Sequence, residues 1–219
     1  MGGVPTRVLI VDDHPLVREA LCARIGLRPD LEVCGEAADV DEALALLDAV
    51  EPDLMIVDLT LKRGHGLDLI KKTRQRSPDT KMLVVSAHEE ELFAERVLRA
   101  GAAGYIHKQE AQHEVLDAIY AVLRGERYVS ESLTQHLLGK AMGSSTGSSS
   151  IDQLSNRELQ IFELIGRGKS TRSIADQLHL SVHTVETHRE NIRAKLNLPS
   201  GTELVRAAVQ WVLESRSGW

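Results

Sequence analysis

The stretch Arg7-Val-Leu-Ile-Val-Asp-Asp-His14 decides the fold class of the first part of this chain. Its continuous apolar run is typical of a strand buried on both faces of a parallel sheet, and the run ends in two adjacent aspartates. Leu54-Met-Ile-Val57 and Met82-Leu-Val-Val85 repeat the form, and Leu31–Cys34 and Gly104–Ile106 are weaker candidates. The sequence therefore predicts five strands in one sheet.

Amphipathic helices are predicted between these strands, because apolar residues recur there at three- and four-residue spacing. The helical stretches are Pro15–Leu27, Val40–Val50, Gly66–Arg76, Glu90–Ala100 and Ala111–Arg124. Five repeats of strand then helix predict an α/β fold with a doubly wound, five-stranded parallel sheet. Ligands bind such sheets at the carboxyl ends of the strands.

The distribution of charge divides the chain in two. Its 219 residues include 32 acidic and 26 basic side chains, and the formal net charge of −6 alone argues against nucleic-acid binding. Residues 1–139 hold 24 acidic and 16 basic residues, whereas residues 151–219 hold 8 and 9. The Gly/Ser-rich stretch Gly143–Ser150 between them is typical of a flexible linker. Two domains are therefore expected, and the second is nearly neutral.

Neither a membrane span nor an extracellular fold is expected. No apolar run approaches the roughly 20 residues of a membrane helix, and the N-terminal stretch lacks the pattern of a secretory signal. Cys22 and Cys34 lack the spacing of a zinc site or a disulfide framework. The protein is expected to be cytoplasmic, with no membrane partner.

Charged and hydroxyl side chains directly follow four of the predicted strands: Asp12 and Asp13, then Asp58, Ser86 and Lys108. Converging carboxylates repel one another, and a shared Mg²⁺ relieves this repulsion. A carboxylate can also be the nucleophile that forms an acyl phosphate, and Asp58 ends the middle strand. Lys108 and Ser86 could contact phosphoryl oxygens. Each aspartate alone could be a capping residue, but their joint occurrence predicts a phosphoryl-transfer site.

Residues 5–124 resemble the receiver domain of two-component response regulators. The resemblance rests on Ile10-Val-Asp-Asp-His14, Ile56-Val-Asp-Leu59, Val84-Val-Ser-Ala87 and Gly104-Tyr-Ile-His-Lys108. It implies a flavodoxin-like fold and a phosphoacceptor, Asp58, that takes its phosphate from a sensor histidine kinase. It also implies Mg²⁺ bound by Asp12, Asp13, Asp58 and the main-chain carbonyl of Thr60, phosphoryl contacts from Ser86 and Lys108, and a switch role for Tyr105.

Two positions depart from the commonest pattern of that family. Lys62 and Gln109 stand where many members have prolines, and the second change puts a cis peptide after Lys108 in doubt. Neither change removes an atom that the chemistry needs. His88, two residues after Ser86, is expected to be an ordinary exposed histidine, with an influence on water access to the phosphate as the alternative.

The second segment has the pattern of a helix-turn-helix. Leu154-Ser-Asn-Arg-Glu158 contains a capping box that opens a helix, which is predicted to end near Gly166 and Gly168. A short helix over 170–178, a turn and a third helix over Val182–Leu196 follow, and a fourth spans Thr202–Leu213. These generic features fit an all-α, four-helix DNA-binding domain or a small bundle for protein contacts.

If this domain binds DNA, its third helix would lie in the major groove. The helix and its neighbours offer polar side chains for bases and phosphates: Lys169, Thr171, Ser181, His183, Thr184, Glu186, Thr187, Arg189, Glu190, Asn191, Arg193 and Lys195. Val185, Ile192 and Leu196 are expected to face the core. Glu186 could accept a hydrogen bond from cytosine or could repel phosphate.

Leu154–Glu158, Gly168-Lys-Ser170, Ile174-Ala175 and Ser181–Arg189 resemble the LuxR-type helix-turn-helix. The whole chain therefore resembles a NarL/FixJ-family response regulator, with a receiver over 5–124, a linker with a short helix over 125–150 and a DNA-binding domain over 151–216. The resemblance implies regulation of transcription by a homodimer on promoter DNA, with RNA polymerase as a further candidate partner. Its fourth helix, around Leu204, Ala208 and Trp211, would pair the DNA-binding domains.

Two alternatives remain. An aspartyl-phosphate phosphotransfer enzyme would use a second acid two residues after Asp58 as its general acid, but Thr60 stands there. The protein is therefore expected not to be an enzyme beyond self-catalysed phosphorylation and dephosphorylation of Asp58. A receiver-type regulator that works without phosphorylation is the other alternative.

Overall fold

The chain divides into two compact units, Met1–Leu138 and Gly139–Trp219. This computed structural model describes residues 4–88, 90–131, 133–135 and 150–216. The predicted Gly/Ser linker lies, apart from Ser150, outside the described residues. Within the described part of the chain, no helix is both long and apolar enough to cross a membrane.

A parallel five-stranded sheet forms the centre of the first unit. Its strands lie in the order β2-β1-β3-β4-β5, and every neighbouring pair is parallel. The strands are β1 (Thr6–Val11), β2 (Leu31–Ala37), β3 (Leu54–Val57), β4 (Lys81–Ser86) and β5 (Gly104–His107). The helices are α1 (Pro15–Gly26), α2 (Val40–Val50), α3 (Gly66–Arg76), α4 (Glu90–Ala100) and α5 (Ala111–Leu123). The predicted doubly wound fold is confirmed.

Helices cover both faces of the sheet, which explains why its strands read as continuous apolar runs. Val8 and Ile10 join a buried cluster with Leu21 of α1 and Val115 of α5. Leu9, between them, is equally buried but lies outside that cluster, because successive side chains of a strand point to opposite faces. Strand β2 extends three residues beyond its predicted end, since it lies at an edge of the sheet where polar residues are tolerated.

The chain that leaves α5 returns to the edge of the sheet beside β5. The Tyr128 N–H donates to the Ala103 carbonyl at 3.1 Å, and the Tyr105 N–H donates to the Tyr128 carbonyl at 2.8 Å. Residues 131 and 133–135 are helical, and Leu133 is buried. The short helix predicted in the linker therefore begins in this segment, directly after the chain pairs with β5.

The described part of the second unit holds four α-helices after a short turn at Ser150–Gln153. They are α6 (Asn156–Gly166), α7 (Thr171–Gln177), α8 (Val182–Lys195) and α9 (Gly201–Arg216). Serines cap the first three: the side chains of Ser155, Ser170 and Ser181 each accept a backbone N–H from the first turn. The short helix, tight turn and longer helix are the predicted helix-turn-helix.

Glu158 links the start of α6 to the end of α8. It completes the predicted capping box by accepting the Ser155 N–H at 2.7 Å, and Lys195 Nζ lies 2.6 Å from the same carboxylate oxygen. Burial disfavours the charged carboxylate, but Lys195 and Ser155 outweigh it and hold the pKa of Glu158 below its ordinary value. The charged form therefore stabilises the folded domain.

We expect Glu158→Gln to lower the free energy of unfolding of this domain by about 1–3 kcal/mol at pH 7. The difference from the unsubstituted chain should shrink as the pH falls below about 4.3, where the unfolded carboxyl is protonated, and vanish below the depressed pKa of the folded state. Denaturant unfolding followed by tryptophan fluorescence reports on this domain, because Trp211 lies in α9 and the first unit contains no tryptophan.

Glu203→Gln is the matched control, since Glu203 pairs with Arg206 three residues later on the exposed surface of α9. It should change stability by less than about 0.5 kcal/mol. A loss from Glu158→Gln that is the same at pH 7 and pH 3 would contradict a role for the carboxylate charge.

Candidate functional site

Two buried carboxylates and one ammonium meet at the carboxyl edge of the sheet. Asp12 follows β1, Asp58 follows β3 and Lys108 follows β5. Lys108 Nζ lies 2.7 Å from Asp12 Oδ2 and 2.7 Å from Asp58 Oδ2. Asp12 is 2% exposed and Asp58 is 3% exposed. Because β1 and β3 are neighbours, the sheet order itself forces the two carboxylates together.

Two further side chains enlarge this cluster. Nδ1 of His14 lies 2.6 Å from Asp13 Oδ1, and the His14 N–H donates to Asp12 Oδ1 at 2.8 Å. Ligand atoms of Asp12, Asp13, His14 and Asp58 all lie within 4.8 Å of one another. Asp58 Oδ1 is buried and has no hydrogen-bond partner among the described residues. An unsatisfied buried carboxylate oxygen beside other carboxylates fits a hard divalent cation.

Burial shapes the protonation of the cluster. Burial raises the pKa of Asp58 to about 6, and the Asp12 charge adds to the rise while Lys108 opposes it. Burial alone would lower the pKa of Lys108, but the two carboxylates raise it above its ordinary value. Lys108 therefore stays charged at neutral pH and holds the two aspartates together.

The predicted switch residues lie beside this cluster. Ser86 is fully buried at the end of β4, and its carbonyl accepts the Lys108 N–H at 2.7 Å. Its hydroxyl accepts the His88 N–H at 3.3 Å. Tyr105 is 2% exposed, and its hydroxyl donates to the His88 carbonyl at 2.6 Å. The structure thus joins Ser86 to Lys108 on one side and, through His88, to Tyr105 on the other.

The expectation that His88 is exposed was wrong. His88 is 6% exposed, because its ring lies 4.6 Å from that of Phe93 and its Nε2 lies 3.0 Å from Thr60 Oγ1. Thr60 is separated from it by 28 residues of sequence, so no local pattern could reveal the contact. The backbone groups of His88 contact Ser86 and Tyr105, as described above.

The loop after Asp58 keeps a tight turn without the usual proline. Lys62 is exposed, and Gly64 adopts φ of +86°, a conformation that glycine favours. A Cβ atom at Gly66 would overlap the Asp58 carbonyl oxygen and lie 2.8 Å from the Leu59 Cα. Glycine at position 66 therefore lets α3 begin directly against the strand end that carries Asp58. The peptide bond between Lys108 and Gln109 is trans.

In the second unit, one face of α8 is open to contacts. His183, Glu186, Thr187, Glu190 and Asn191 are exposed, and Val185 and Ile192 are fully buried. The predicted division between core and surface is therefore correct for these positions, while Leu196 is only half-buried. The exposed row includes two carboxylates, which is unusual for a surface that meets phosphates.

Arginines on α8 neutralise those carboxylates. Arg189 Nε lies 3.6 Å from Glu186, and Arg193 lies 3.2 Å from Glu190 and also donates to the Pro199 carbonyl at 3.0 Å. The remaining residues predicted to contact DNA differ in how exposed they are and in which residues they contact. Lys169 is exposed and Thr171 half-buried, Ser181 and Thr184 hydrogen-bond each other at 2.8 Å, and Lys195 contacts Glu158.

Sequence reasoning missed Val182, the first residue of α8, which is 48% exposed. An exposed apolar side chain at the start of such a helix can contact a thymine methyl group. The sequence contained a signal for the exposure of Val182. This residue directly follows the capping Ser181 and lies outside the buried stripe of the helix.

The predicted pairing residues of α9 need correction. Leu204 and Ala208 are fully buried, because α9 packs on α6, and Trp211 is half-buried with its ring 5.4 Å from that of Phe162. These side chains complete the core of their own domain. The exposed apolar residues of the helix are Val205, Val209 and Leu213, which recur at four-residue spacing and form a stripe.

Comparison with known proteins identifies both units. Residues 8–120 match the family model of the response regulator receiver domain, and residues 152–208 match that of the bacterial regulatory proteins of the luxR family. Response regulator GacA of Pseudomonas aeruginosa is 37% identical over 204 residues, which cover 93% of this chain and 95% of GacA. Oxygen regulatory protein NreC of Staphylococcus epidermidis is 37% identical over 211 residues, with 93% and 97% covered.

Solved structures of response regulators are also similar to this chain. A two-component response regulator of the LuxR family from Aurantimonas is 35% identical, and the match covers 63% of this chain and 99% of that chain with a TM-score of 0.58. RcsB of Salmonella enterica serovar Typhimurium, solved bound to promoter rprA, is 24% identical and shares the fold over 94% of this chain and 98% of that chain, with a TM-score of 0.61. The chain belongs to the NarL/FixJ-type response regulators, transcription regulators that join a receiver domain to a LuxR-type DNA-binding domain.

Proposed function

We propose that this protein accepts a phosphoryl group on Asp58 from a sensor histidine kinase and thereby controls its binding to promoter DNA. The observation that carries the proposal is the state of the Asp58 carboxylate. One of its oxygens is held by Lys108 at 2.7 Å, and the other is buried without a hydrogen-bond partner among the described residues. A buried carboxylate with one unsatisfied oxygen is available to bond an incoming electrophile.

The chemistry needs little beyond positioning and charge. A carboxylate oxygen of Asp58 attacks the phosphorus of a phosphohistidine, the new O–P bond forms, and the N–P bond breaks as the imidazole leaves with its electron pair. The Lys108 ammonium neutralises charge on the transferred phosphoryl oxygens, and the Ser86 hydroxyl can turn to donate to one of them. The proposed catalysis is limited to this self-phosphorylation and the later hydrolysis of the acyl phosphate.

A Mg²⁺ ion would be held by Asp12, Asp13, Asp58 and the main-chain carbonyl of Thr60. When bound, it supplies further neutralisation of the phosphoryl oxygens. The donor set of carboxylates with an unsatisfied oxygen suits this cation. The isolated receiver domain of RcsB from Salmonella enterica serovar Typhimurium, 25% identical with a TM-score of 0.55, was solved in the presence of the phosphomimetic BeF₃⁻.

Asp58→Asn should abolish phosphorylation. We expect acetyl phosphate with Mg²⁺ to add roughly 80 Da to the intact chain, measured by mass spectrometry, and to add nothing to the variant. Mg²⁺ at about 100 times its dissociation constant should stabilise the unsubstituted receiver by about 2.7 kcal/mol and the variant by much less.

Asp68→Asn, an exposed carboxylate on α3, is the control and should behave like the unsubstituted chain. Labelling that persists in Asp58→Asn would place the phosphoacceptor elsewhere. A full chain that never takes up phosphate with Mg²⁺ and still binds its promoter would favour the alternative, a receiver-type regulator that works without phosphorylation.

We further propose that the domain over 151–216 reads promoter DNA with the exposed face of α8, and that residues 5–124 and 125–150 form the receiver and the linker. Candidate base contacts are Val182, His183, Glu186, Thr187 and Glu190. A promoter as partner implies the cytoplasm, with RNA polymerase as a further candidate partner. Because Glu186 and Glu190 neutralise their neighbouring arginines, the affinity of one domain for DNA is expected to be modest.

Glu186→Ala should reduce discrimination at one base pair by about 1–3 kcal/mol, because its carboxylate can accept from the cytosine N4 amine. The same change frees Arg189 for phosphate, so binding to unrelated DNA should strengthen. Selection of bound sequences from a random library measures both effects, with Glu203→Ala on α9 as the control. An unchanged selected sequence would show that Glu186 does not read a base.

Two copies are proposed to pair through the apolar stripe of α9. Val209→Glu, at the middle of the stripe, should abolish cooperative binding to a site with two half-sites and leave binding to one half-site within about twofold. Electrophoretic mobility titrations on full and half sites measure this. Thr202→Glu, which adds the same charge to an exposed position at the start of α9, should keep cooperativity. Equal cooperativity in both variants would contradict pairing through the stripe.

A further inference from the structure

His88 contacts several elements around the charged cluster. Its side chain is held from two sides, by Thr60 Oγ1 at 3.0 Å from Nε2 and by the ring of Phe93 on α4 at 4.6 Å. Its backbone serves two other residues, since its N–H donates to Ser86 Oγ and its carbonyl accepts from the Tyr105 hydroxyl. One residue thus contacts the loop after Asp58, the strand that carries Ser86, α4 and β5.

We propose that the His88 side chain is a positioning residue that ties the Ser86 hydroxyl and the Tyr105 ring to the loop carrying Thr60. The side chain fixes the backbone of residue 88, and that backbone in turn holds the two switch side chains. Thr60 lies two residues after the phosphoacceptor, so a change at Asp58 reaches His88 through one short segment of chain. The proposal rests on the proposed function, but its first test does not need phosphate.

The two backbone contacts of His88 differ in length, and the longer one is the contact that the switch would give up. The bond to Ser86 is 3.3 Å long, near the weak end of the range, whereas the bond from Tyr105 is short at 2.6 Å. When Ser86 turns towards a phosphoryl group, it gives up the weaker contact. Tyr105 keeps its hydrogen bond to His88, whose backbone has then lost the contact with Ser86. The Tyr105 ring therefore follows any shift of the His88 backbone.

Tyr105 then passes this shift to the chain that leaves the receiver. Its backbone N–H donates to the Tyr128 carbonyl, and Tyr128 lies after α5, near the start of the proposed linker over 125–150. His88 therefore contacts Thr60, Ser86 and Tyr105 at once. Through Tyr105, a shift of His88 would be passed to Tyr128, outside the sheet.

The first experiment measures the Tyr105 ring in the unphosphorylated full chain. The chain has three tyrosines, so 3-fluorotyrosine labelling gives three ¹⁹F NMR signals, and Tyr105→Phe assigns the one of interest. We expect His88→Ala to shift and broaden this signal, and Thr60→Val to change it in the same direction. His88→Gln keeps a polar atom near the position of Nε2 and should restore most of the original signal.

The double variant His88→Ala/Thr60→Val tests whether the two residues act through one contact. The combined change should be no larger than that of His88→Ala, because both substitutions remove the same hydrogen bond. His113→Ala, an exposed histidine on α5, is the matched control and should leave the Tyr105 signal unchanged. Additive effects, an unchanged signal in His88→Ala, or His88→Gln as disturbed as His88→Ala would overturn the proposal.

The second experiment adds acetyl phosphate and Mg²⁺ and follows mass and ¹⁹F signal together. In His88→Ala, Asp58 should still gain a phosphoryl group, while the Tyr105 signal no longer responds as in the unsubstituted chain. A Tyr105 response of the original size in the phosphorylated variant would contradict the positioning role. Failure of Asp58 to gain mass in the unsubstituted chain would instead contradict the proposed function.

Discussion

The ammonium of Lys108 between Asp12 and Asp58 is the interaction on which the rest of the receiver depends. The order of the strands places two carboxylates side by side at a buried edge, where desolvation and, to a smaller extent, repulsion from Asp12 raise the pKa of Asp58 to about 6. Lys108 reaches past β4 from β5 to contact both. A buried, charged carboxylate that is held by a single ammonium fits the role of phosphoacceptor proposed for Asp58.

The chain that leads out of the domain pairs with β5, the strand that is followed by Lys108. Lys108 is tied to Ser86 by a backbone hydrogen bond, Ser86 to His88, and His88 to Tyr105, whose own N–H pairs with Tyr128. These contacts form a contiguous physical network, and each is a hydrogen bond that can be tested one at a time. The same chain of hydrogen bonds therefore links the surroundings of Asp58 to the residues beyond α5.

The sequence predicted which residues stand at the ends of strands, because a local pattern determines that position, and it failed for the burial of His88, whose partners are distant. Apolar runs that end in Asp12, Asp58 and Lys108 fix those residues at strand ends, and parallel strands bring the ends together. The burial of His88 depends on Thr60, 28 residues away, and no periodicity encodes that contact. On α9 the sequence offers two apolar stripes, and only packing against α6 decides that Leu204 faces the core while Val205 does not.

The charge balance on α8 supports the proposed pairing of two copies of the DNA-binding domain. On α8, carboxylates three residues before Arg189 and Arg193 cancel their charge, and Lys195 is committed to Glu158, so a single domain meets DNA with little excess positive charge. Under the proposed pairing, weak binding by one copy would make the second copy decisive, because pairing converts the second contact into an intramolecular event at high effective concentration. A domain that bound tightly by itself would occupy its sites whatever the state of Asp58. Under the proposed function, modest affinity of the DNA-binding helix is thus a condition for control by the receiver.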